Sequence, residues 1–95
     1  MLNYKLTSDA KSDLRRIYNY GLEKWGINQA DRYYNNLFDK FEEIAESPYL
    51  YMAVDDIREG YRRSVCGMDN IYYRVVDDIV EIMNILGRQD VDEVF

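Results

Sequence analysis

The residues best suited to chemical contact with another molecule are four arginines in the second half of the chain. Arg58, Arg62, Arg63 and Arg74 are interleaved with tyrosines, and residues 58–74 carry a charge of +2, whereas residues 1–57 carry −3 and residues 75–95 carry −5. The planar guanidinium group favours bidentate contact with carboxylates or phosphates. Two interpretations remain open: the arginines contact a partner, or they pair with the chain's own acids on a solvated sheet surface.

The side chains that most enzymes use for acid–base and nucleophilic chemistry are scarce in this sequence. There is no histidine, which excludes Ser-His and Cys-His nucleophile pairs and removes the commonest metal ligand. The single cysteine, Cys66, cannot form an internal disulfide or a zinc cluster, and it fits the reducing cytoplasm. We therefore expect no catalytic residue, no metal and no cofactor.

The net charge argues against nucleic-acid binding, and the distribution of apolar residues argues against membrane insertion. The 95 residues carry a formal charge of −6, so the net field of the protein repels the phosphates on which electrostatic nucleic-acid binding depends. The longest apolar stretches are interrupted by charges, and the first 30 residues lack an apolar run with a basic lead. We expect no direct nucleic-acid binding, no signal peptide and no membrane span.

The first half of the chain has the pattern of a strand followed by two helices. Residues 3–6 alternate polar and apolar, and Thr7 and Ser8 offer N-cap hydroxyls. Apolar residues then recur at helical spacing over residues 10–25 and again over residues 30–45, with Gly26 suited to a left-handed cap between them and Pro48 ending the second helix. So short a turn predicts an antiparallel helical hairpin over residues 8–46.

The second half changes to the alternating pattern of strands after an irregular stretch over residues 47–56. Three strands are predicted, over residues 57–66, 71–76 and 79–86, as an antiparallel meander. Val80, Ile82 and Leu86 are expected to form one apolar row on the last strand. The sequence thus predicts one domain over residues 1–95, in the α+β class: an N-terminal strand and a helical hairpin packed on a small antiparallel β-sheet. The last few residues of the tail over about 88–95 are expected to fray, with docking as the alternative.

Tyrosine is more frequent than one small core requires, with ten in 95 residues. Several tyrosines gather on and after the predicted helices. Tyrosine buries a large area at low entropic cost and is enriched at interfaces, so some of these side chains are expected to face a partner. The alternative is that they pack in the core with only their hydroxyl groups in water.

The chain resembles a known family over nearly its whole length and in the same order of motifs. The resemblance rests on the runs Leu6 to Leu14, Trp25-Gly26 with Gln29-Ala30, Ile57 to Arg63, Tyr72 to Arg74, and Ile82 to Leu86 with Arg88 and Asp90. Together they are similar to the ParE-type toxins of bacterial toxin–antitoxin modules. The resemblance implies the RelE/ParE fold, in which a helical hairpin packs on an antiparallel sheet.

The same resemblance implies a function. ParE-type toxins poison DNA gyrase, whereas the related RelE branch cleaves messenger RNA on the ribosome. A ribonuclease needs a basic surface and a positioned acid or base, and this chain is acidic and lacks histidine. We expect a binding-type gyrase inhibitor neutralised by a ParD-like antitoxin in a hetero-oligomer. The alternatives are a ribosome-dependent messenger RNA endonuclease and a non-toxic relative that only binds an antitoxin.

The residues expected to act are contacts rather than catalysts. The resemblance and the charge pattern assign contact with the target to Arg58, Tyr61, Arg62, Arg63, Arg74 and Arg88. Contact with the antitoxin is assigned to a groove beside the helical hairpin, through Tyr18, Trp25, Tyr33 and Tyr34. The chain departs from the family's common pattern, which has histidine or a further basic residue, at Asp69, Asn84 and Gly87.

Overall fold

Two helices and a five-stranded sheet form the body of the protein in the computed structural model, which describes residues 2–87 and 91–95. The elements in chain order are β1 (Asn3–Leu6), α1 (Ser8–Trp25), α2 (Ile27–Glu46), β2 (Met52–Ala53), β3 (Arg62–Cys66), β4 (Asp69–Val76), β5 (Ile79–Gly87) and α3 (Val91–Val94). The sheet order is β1-β5-β4-β3-β2. The predicted α+β class is confirmed.

The helical hairpin forms because its ends are capped and its apolar residues share one face. Thr7 accepts a hydrogen bond from the Ala10 N–H at 3.1 Å and thereby caps α1. Gly26 has φ +88° and ψ 172° and joins α1 directly to α2; only glycine adopts this backbone conformation readily. The predicted helical hairpin over residues 8–46 is confirmed. The left-handed cap predicted at Gly26 was wrong in detail, because Gly26 combines a positive φ with an extended ψ.

The sheet differs from the prediction at its two edges. β1 pairs in parallel with β5, so the sheet is mixed rather than purely antiparallel. The strand predicted over residues 57–66 begins only at Arg62, because the N–H groups of Ile57 and Arg58 both bond to the Val54 carbonyl oxygen in a turn. The predicted meander of β3, β4 and β5 is confirmed, and the two-residue β2 lies within the stretch predicted to be irregular.

A β-bulge corrects one prediction about side-chain direction. Tyr72 pairs with Asn84 but Tyr73 pairs with Ile82, so Met83 is the extra residue of β5. Beyond the bulge the alternation shifts by one residue, and Ile85 rather than Leu86 continues the apolar row of Val80 and Ile82. The prediction that Leu86 belongs to this row was wrong because a period of two cannot register an inserted residue.

The apolar core lies on both faces of the sheet. The larger cluster lies between the sheet and the helices α1 and α2, and its largest side chains are Tyr73, Phe41 and Leu37. A second cluster on the outer face contains Val54, Tyr61, Tyr72 and Leu86, and Val91 and Phe95 pack against it. The last few residues were expected to fray; instead, Val91 and Phe95 dock on this cluster. Among the described residues, no helix has the length and hydropathy needed to cross a bilayer.

Candidate functional site

The predicted arginine surface is divided between the two faces of the sheet. Cross-strand partners point to the same side, and the register pairs Arg62 with Tyr73 but Arg63 with Tyr72. Tyr73 belongs to the cluster under the helices and Tyr72 to the outer cluster. Arg63 therefore lies on the outer face and Arg62 on the helix side.

Arg62 is engaged within the chain. Its guanidinium group donates to the Tyr51 carbonyl oxygen at 2.8 Å and lies 5.2 Å from the centre of the Tyr49 ring. These contacts hold the segment between α2 and β2 against the sheet. The prediction of one arginine surface was therefore wrong for Arg62, because adjacent residues of a strand point to opposite faces.

Arg74 forms the ion pair that the second interpretation predicted. Its Nε lies 2.8 Å from Glu81 Oε1, and Lys5 Nζ lies 3.2 Å from Glu81 Oε2. Hydrogen bonds from Arg74 first, and then from Lys5, hold the pKa of the Glu81 carboxyl below its usual value. Arg74 remains on the outer face with part of its charge balanced.

Arg58 and Arg63 form no ion pair with any residue whose side chain the structure describes. Arg58 lies over the ring of Phe95 at 5.3 Å and over that of Tyr61 at 6.0 Å, while Arg63 contacts Met52 Sδ at 3.5 Å. Tyr61 itself is only 7% exposed, so it supports Arg58 from below rather than offering a free ring. The outer arginine face is defined here as Arg58, Arg63 and Arg74. Arg88 lies outside the described residues.

The four tyrosine and tryptophan positions predicted to bind an antitoxin line two separate depressions. Tyr18 and Tyr34 meet edge to face at 5.4 Å in a groove of about 590 Å³ between α1, α2 and the end of β1. This hairpin groove is lined by Leu6, Lys11, Leu14, Arg15, Tyr18, Asp31, Tyr34 and Phe38. The Tyr18 hydroxyl donates to Asp31, and this bond raises the pKa of Tyr18.

Trp25 and Tyr33 lie in the other depression, a pocket of about 330 Å³ on the side of the β3–β4 turn. This aromatic pocket is lined by Arg16, Ile17, Tyr20, Trp25, Tyr33, Met68, Asp69 and Gly87. Trp25 contacts Tyr20 at 5.8 Å and Tyr33 at 6.3 Å, both edge to face. The prediction of one docking groove for all four residues was therefore wrong, because the hairpin places them on two sides of itself.

Two of the three departures from the family's pattern meet in the aromatic pocket. Asp69 and Gly87 are cross-strand partners and both line its wall. Asn84 does not line the pocket and pairs with Tyr72 between β5 and β4. Sequence reasoning found Asp69 and Gly87 as departures, but only the register of β4 with β5 brings them together.

Several lining residues were not predicted as site residues. Phe38 follows Tyr34 by four residues, and Leu14 precedes Tyr18 by four, so the i,i+4 rule could have placed both in the groove. Lys11 and Arg15 form a further i,i+4 pair on the same helix. Arg16 and Tyr20 have the same spacing and line the aromatic pocket. The sequence shows their spacing, but only the packing of α1 against β5 shows that they reach this pocket.

Three partly buried titratable groups have raised pKa values. Burial raises the pKa of the Cys66 thiol, raises that of Tyr73 to about 12, and raises that of Tyr33, which a hydrogen bond to Asp69 raises further. These groups are protonated at neutral pH. Within residues 2–87 and 91–95, no three acidic or sulfur side chains lie close enough together to hold a metal ion.

Comparison with known proteins matches this chain to one family over almost its whole length. The family model described as the ParE toxin of the type II toxin–antitoxin system parDE matches residues 4–91. A protein named Toxin ParE1 from Caulobacter vibrioides is 38% identical over 88 residues, covering 93% of this chain and 91% of its own. Another Toxin ParE1, from Mycobacterium tuberculosis, is 32% identical over 91 residues, covering 94% and 93%.

A solved structure agrees with the fold. A chain of the structure titled as the chromosomal ParDE TA system from P. aeruginosa superposes with a TM-score of 0.81 at 18% identity, covering 92% of this chain and 96% of that one. The helical hairpin on a mixed sheet and the family match over residues 4–91 lead to the same conclusion. The chain belongs to the ParE toxin family of type II toxin–antitoxin systems.

Proposed function

We propose that this protein is a toxin that inhibits DNA gyrase by binding to it in the cytoplasm, trapping the enzyme on cleaved DNA. The observation that carries the proposal is the outer arginine face. Its Arg58 and Arg63 form no ion pair with any residue whose side chain the structure describes. Arginine and aromatic side chains on a firm base are the usual anchors of protein interfaces. Such an inhibitor needs contact residues and no catalytic group.

The support for inhibition by binding is also chemical. The tyrosine and cysteine groups with shifted pKa values are held in their protonated forms, whereas a ribonuclease needs a group poised to exchange a proton near neutral pH. The chain has no histidine and a charge of −6. These features favour gyrase inhibition over the messenger RNA endonuclease activity of the RelE branch.

The test is a supercoiling assay with purified gyrase and the free toxin. We expect loss of supercoiling together with accumulation of cleaved DNA. Arg63→Ala should weaken inhibition about tenfold, the effect of removing an interface anchor, whereas Arg32→Ala, which removes an exposed arginine from α2, should leave inhibition unchanged. No inhibition at large excess of the toxin contradicts the proposal. Discrete cuts at ribosome-occupied codons, mapped by primer extension in cells expressing the chain, would establish the endonuclease instead.

We further propose that a ParD-like antitoxin docks in the hairpin groove. The groove floor is apolar, through Leu14, Tyr34 and Phe38, and its rim carries Lys11 and Arg15. The Asp31 carboxylate at the opposite rim already accepts from Tyr18. The groove therefore suits an amphipathic segment with an apolar stripe and acidic flanks, which folds as it binds.

Co-purification with the small ribbon-helix-helix protein expected from the neighbouring reading frame tests this docking site. Tyr34→Ala should weaken the complex about tenfold or more, because it removes an aromatic side chain from the groove. Asn36→Ala is the matched control, since Asn36 is exposed on the same helix and is not among the groove residues. Equal retention of the two variants would place the antitoxin elsewhere, and growth that is unaffected by the free chain would identify a non-toxic relative.

A further inference from the structure

The aromatic pocket has walls made of three aromatic rings. Trp25 stands between Tyr20 and Tyr33, with interplanar angles of 89° to the first and 60° to the second. Tyr20 is 50% exposed, and so its ring is accessible at the mouth of the pocket. The face of an aromatic ring is negative, so it attracts a cation that lies over it.

The Tyr33 hydroxyl fixes the turn that forms one side of the pocket. It lies 2.7 Å from Asp69 Oδ2 and 2.9 Å from the Cys66 carbonyl oxygen, the acceptors for its one proton, and it accepts from the Met68 N–H at 3.2 Å. Gly67 has φ +58°, and a Cβ atom there would lie 2.5 Å from Tyr33 Cε1. The Asp69 carboxylate is therefore held in a defined position rather than left on a loose turn.

Among the residues that the structure describes, the charges around the pocket leave an excess of negative charge. Arg16 donates to the Ile85 carbonyl oxygen at 2.9 Å, and its Nη2 lies 3.8 Å from Asp13 Oδ1, so a carboxylate of its own helix already balances it. Asp69 forms no ion pair with any described residue. Gly87 opposite Asp69 adds no side chain to the wall, which leaves space beside the carboxylate.

We propose that the aromatic pocket binds an arginine side chain supplied by a partner polypeptide. The guanidinium plane stacks on one of two perpendicular rings, Trp25 or Tyr20, while its N–H groups donate to Asp69. The net negative charge of the protein favours the approach of a basic segment. A neutral apolar side chain would use the rings but would desolvate Asp69 without compensation. This inference stands apart from the gyrase and ParD proposals, since it depends only on the pocket.

Trp25 is the only tryptophan of the chain and lines the pocket, so its fluorescence reports occupancy directly. The full chain is titrated with N-acetylarginine amide at constant ionic strength. The matched probe is N-acetylcitrulline amide, which has almost the same shape without the charge. We expect a saturable change in emission with the arginine probe in the millimolar range and none with the citrulline probe.

Two pairs of variants connect the signal to the pocket. Asp69→Asn keeps an acceptor for Tyr33 but removes the charge, and should weaken binding about tenfold; Asp56→Asn, on an exposed turn, should leave it unchanged. Tyr20→Ala should weaken binding about fivefold through loss of a stacking ring, whereas Tyr49→Ala removes a tyrosine of similar exposure elsewhere and should have no effect.

Three results would contradict arginine binding in the aromatic pocket. Equal binding of the two probes, binding that Asp69→Asn leaves intact, or no change of Trp25 emission up to the solubility limit of the arginine probe would each overturn the proposal. Loss of gyrase inhibition or of antitoxin binding by variants of the other two surfaces has no bearing on it. Conversely, a toxin inactive on gyrase could still show the charge-selective titration, so the two proposals fail independently.

Discussion

The two faces of the same sheet are built in different ways. The helix side is covered by α1 and α2, and its core includes Phe41, Leu37 and Ile44, none of which is exposed at all. The outer side has a smaller cluster around Tyr61 and Tyr72, against which Val91 and Phe95 pack. One face is covered by long helices and the other, within the described part of the chain, by a few residues near the terminus.

This difference assigns separate tasks to the two faces. Burial of apolar side chains is the main favourable contribution to folding. Most of the buried apolar side chains lie on the helix side. The outer side instead carries three arginines, one of which, Arg58, lies over the rings of Tyr61 and Phe95. Arginine and aromatic residues are enriched at interfaces. A substitution on the helix side should therefore act first on stability, and one on the outer side first on contact with a partner.

The largest effect is expected from Phe41→Ala. The Phe41 ring is fully buried and packs against Phe38 at 5.2 Å and Tyr4 at 5.6 Å. Its removal should lower the free energy of unfolding by about 4 kcal/mol, measured by urea denaturation. Asn36→Ala, on the exposed side of the same helix, should change it by less than about 0.5 kcal/mol.

Phe95→Ala, on the outer face, should lower the free energy of unfolding less than Phe41→Ala does on the helix side. The ring lies 5.1 Å from Tyr72 and 5.8 Å from Tyr61, but it is only partly buried. We expect a loss of about 1.5 kcal/mol in the free energy of unfolding, the scale of one or two aromatic pairs. A loss equal to that of Phe41→Ala would show that the two faces are equally important for stability.

Tyr72 and Tyr73 are adjacent but lie on opposite faces of the sheet, so removing the hydroxyl group of each compares the two faces. The Tyr73 hydroxyl, on the helix side, donates to the Pro48 carbonyl oxygen, whereas the buried Tyr72 hydroxyl has no partner among the described residues. Tyr73→Phe should lower the free energy of unfolding by about 1 kcal/mol. Tyr72→Phe should lower it by less than about 0.5 kcal/mol or raise it, and a cost matching that of Tyr73→Phe would refute this comparison.

The smallest effect concerns pH. Since the pKa of Glu81 is lowered by Arg74 and Lys5 from an unfolded value near 4.5, the ion pairs contribute stability above pH 4.5 that is lost as the pH falls through the folded pKa. Arg74→Gln should therefore cost about 0.5 kcal/mol at neutral pH and less in acid. Urea denaturation of the original protein and of Arg74→Gln, from neutral pH to below pH 4.5, should show the difference in unfolding free energy shrink as the pH falls. A difference that does not change with pH would contradict the role of the ion pair.

The sequence predicted the fold where local rules decide it. The helical hairpin follows from apolar spacing and from Gly26, and the meander from alternation and turn residues. The parallel pairing of β1 with β5 could not be predicted in this way, because it joins residues more than 70 positions apart. The bulge at Met83 was equally hidden, since it depends on the register between two strands.

The candidate sites were predicted less well than the fold, for the same physical reason. Charge arithmetic located the arginine-rich segment, but not which arginines face which side: Arg62 and Arg63 are adjacent in sequence and lie on opposite faces. Tyr18 and Trp25 both lie on α1 yet line different depressions. Residue type indicates that a side chain can bind, whereas the rotation of the element that carries it decides where.

Gly26 imposes a length requirement on the whole helical hairpin. Gly26 is both the C-cap of α1 and the N-cap of α2, so a single residue connects the two helices. One inserted residue would turn α2 by about 100° about its axis and shift it by about 1.5 Å, which would carry Leu37 and Phe41 away from the sheet. Insertions and deletions between the two helices should therefore be strongly counter-selected.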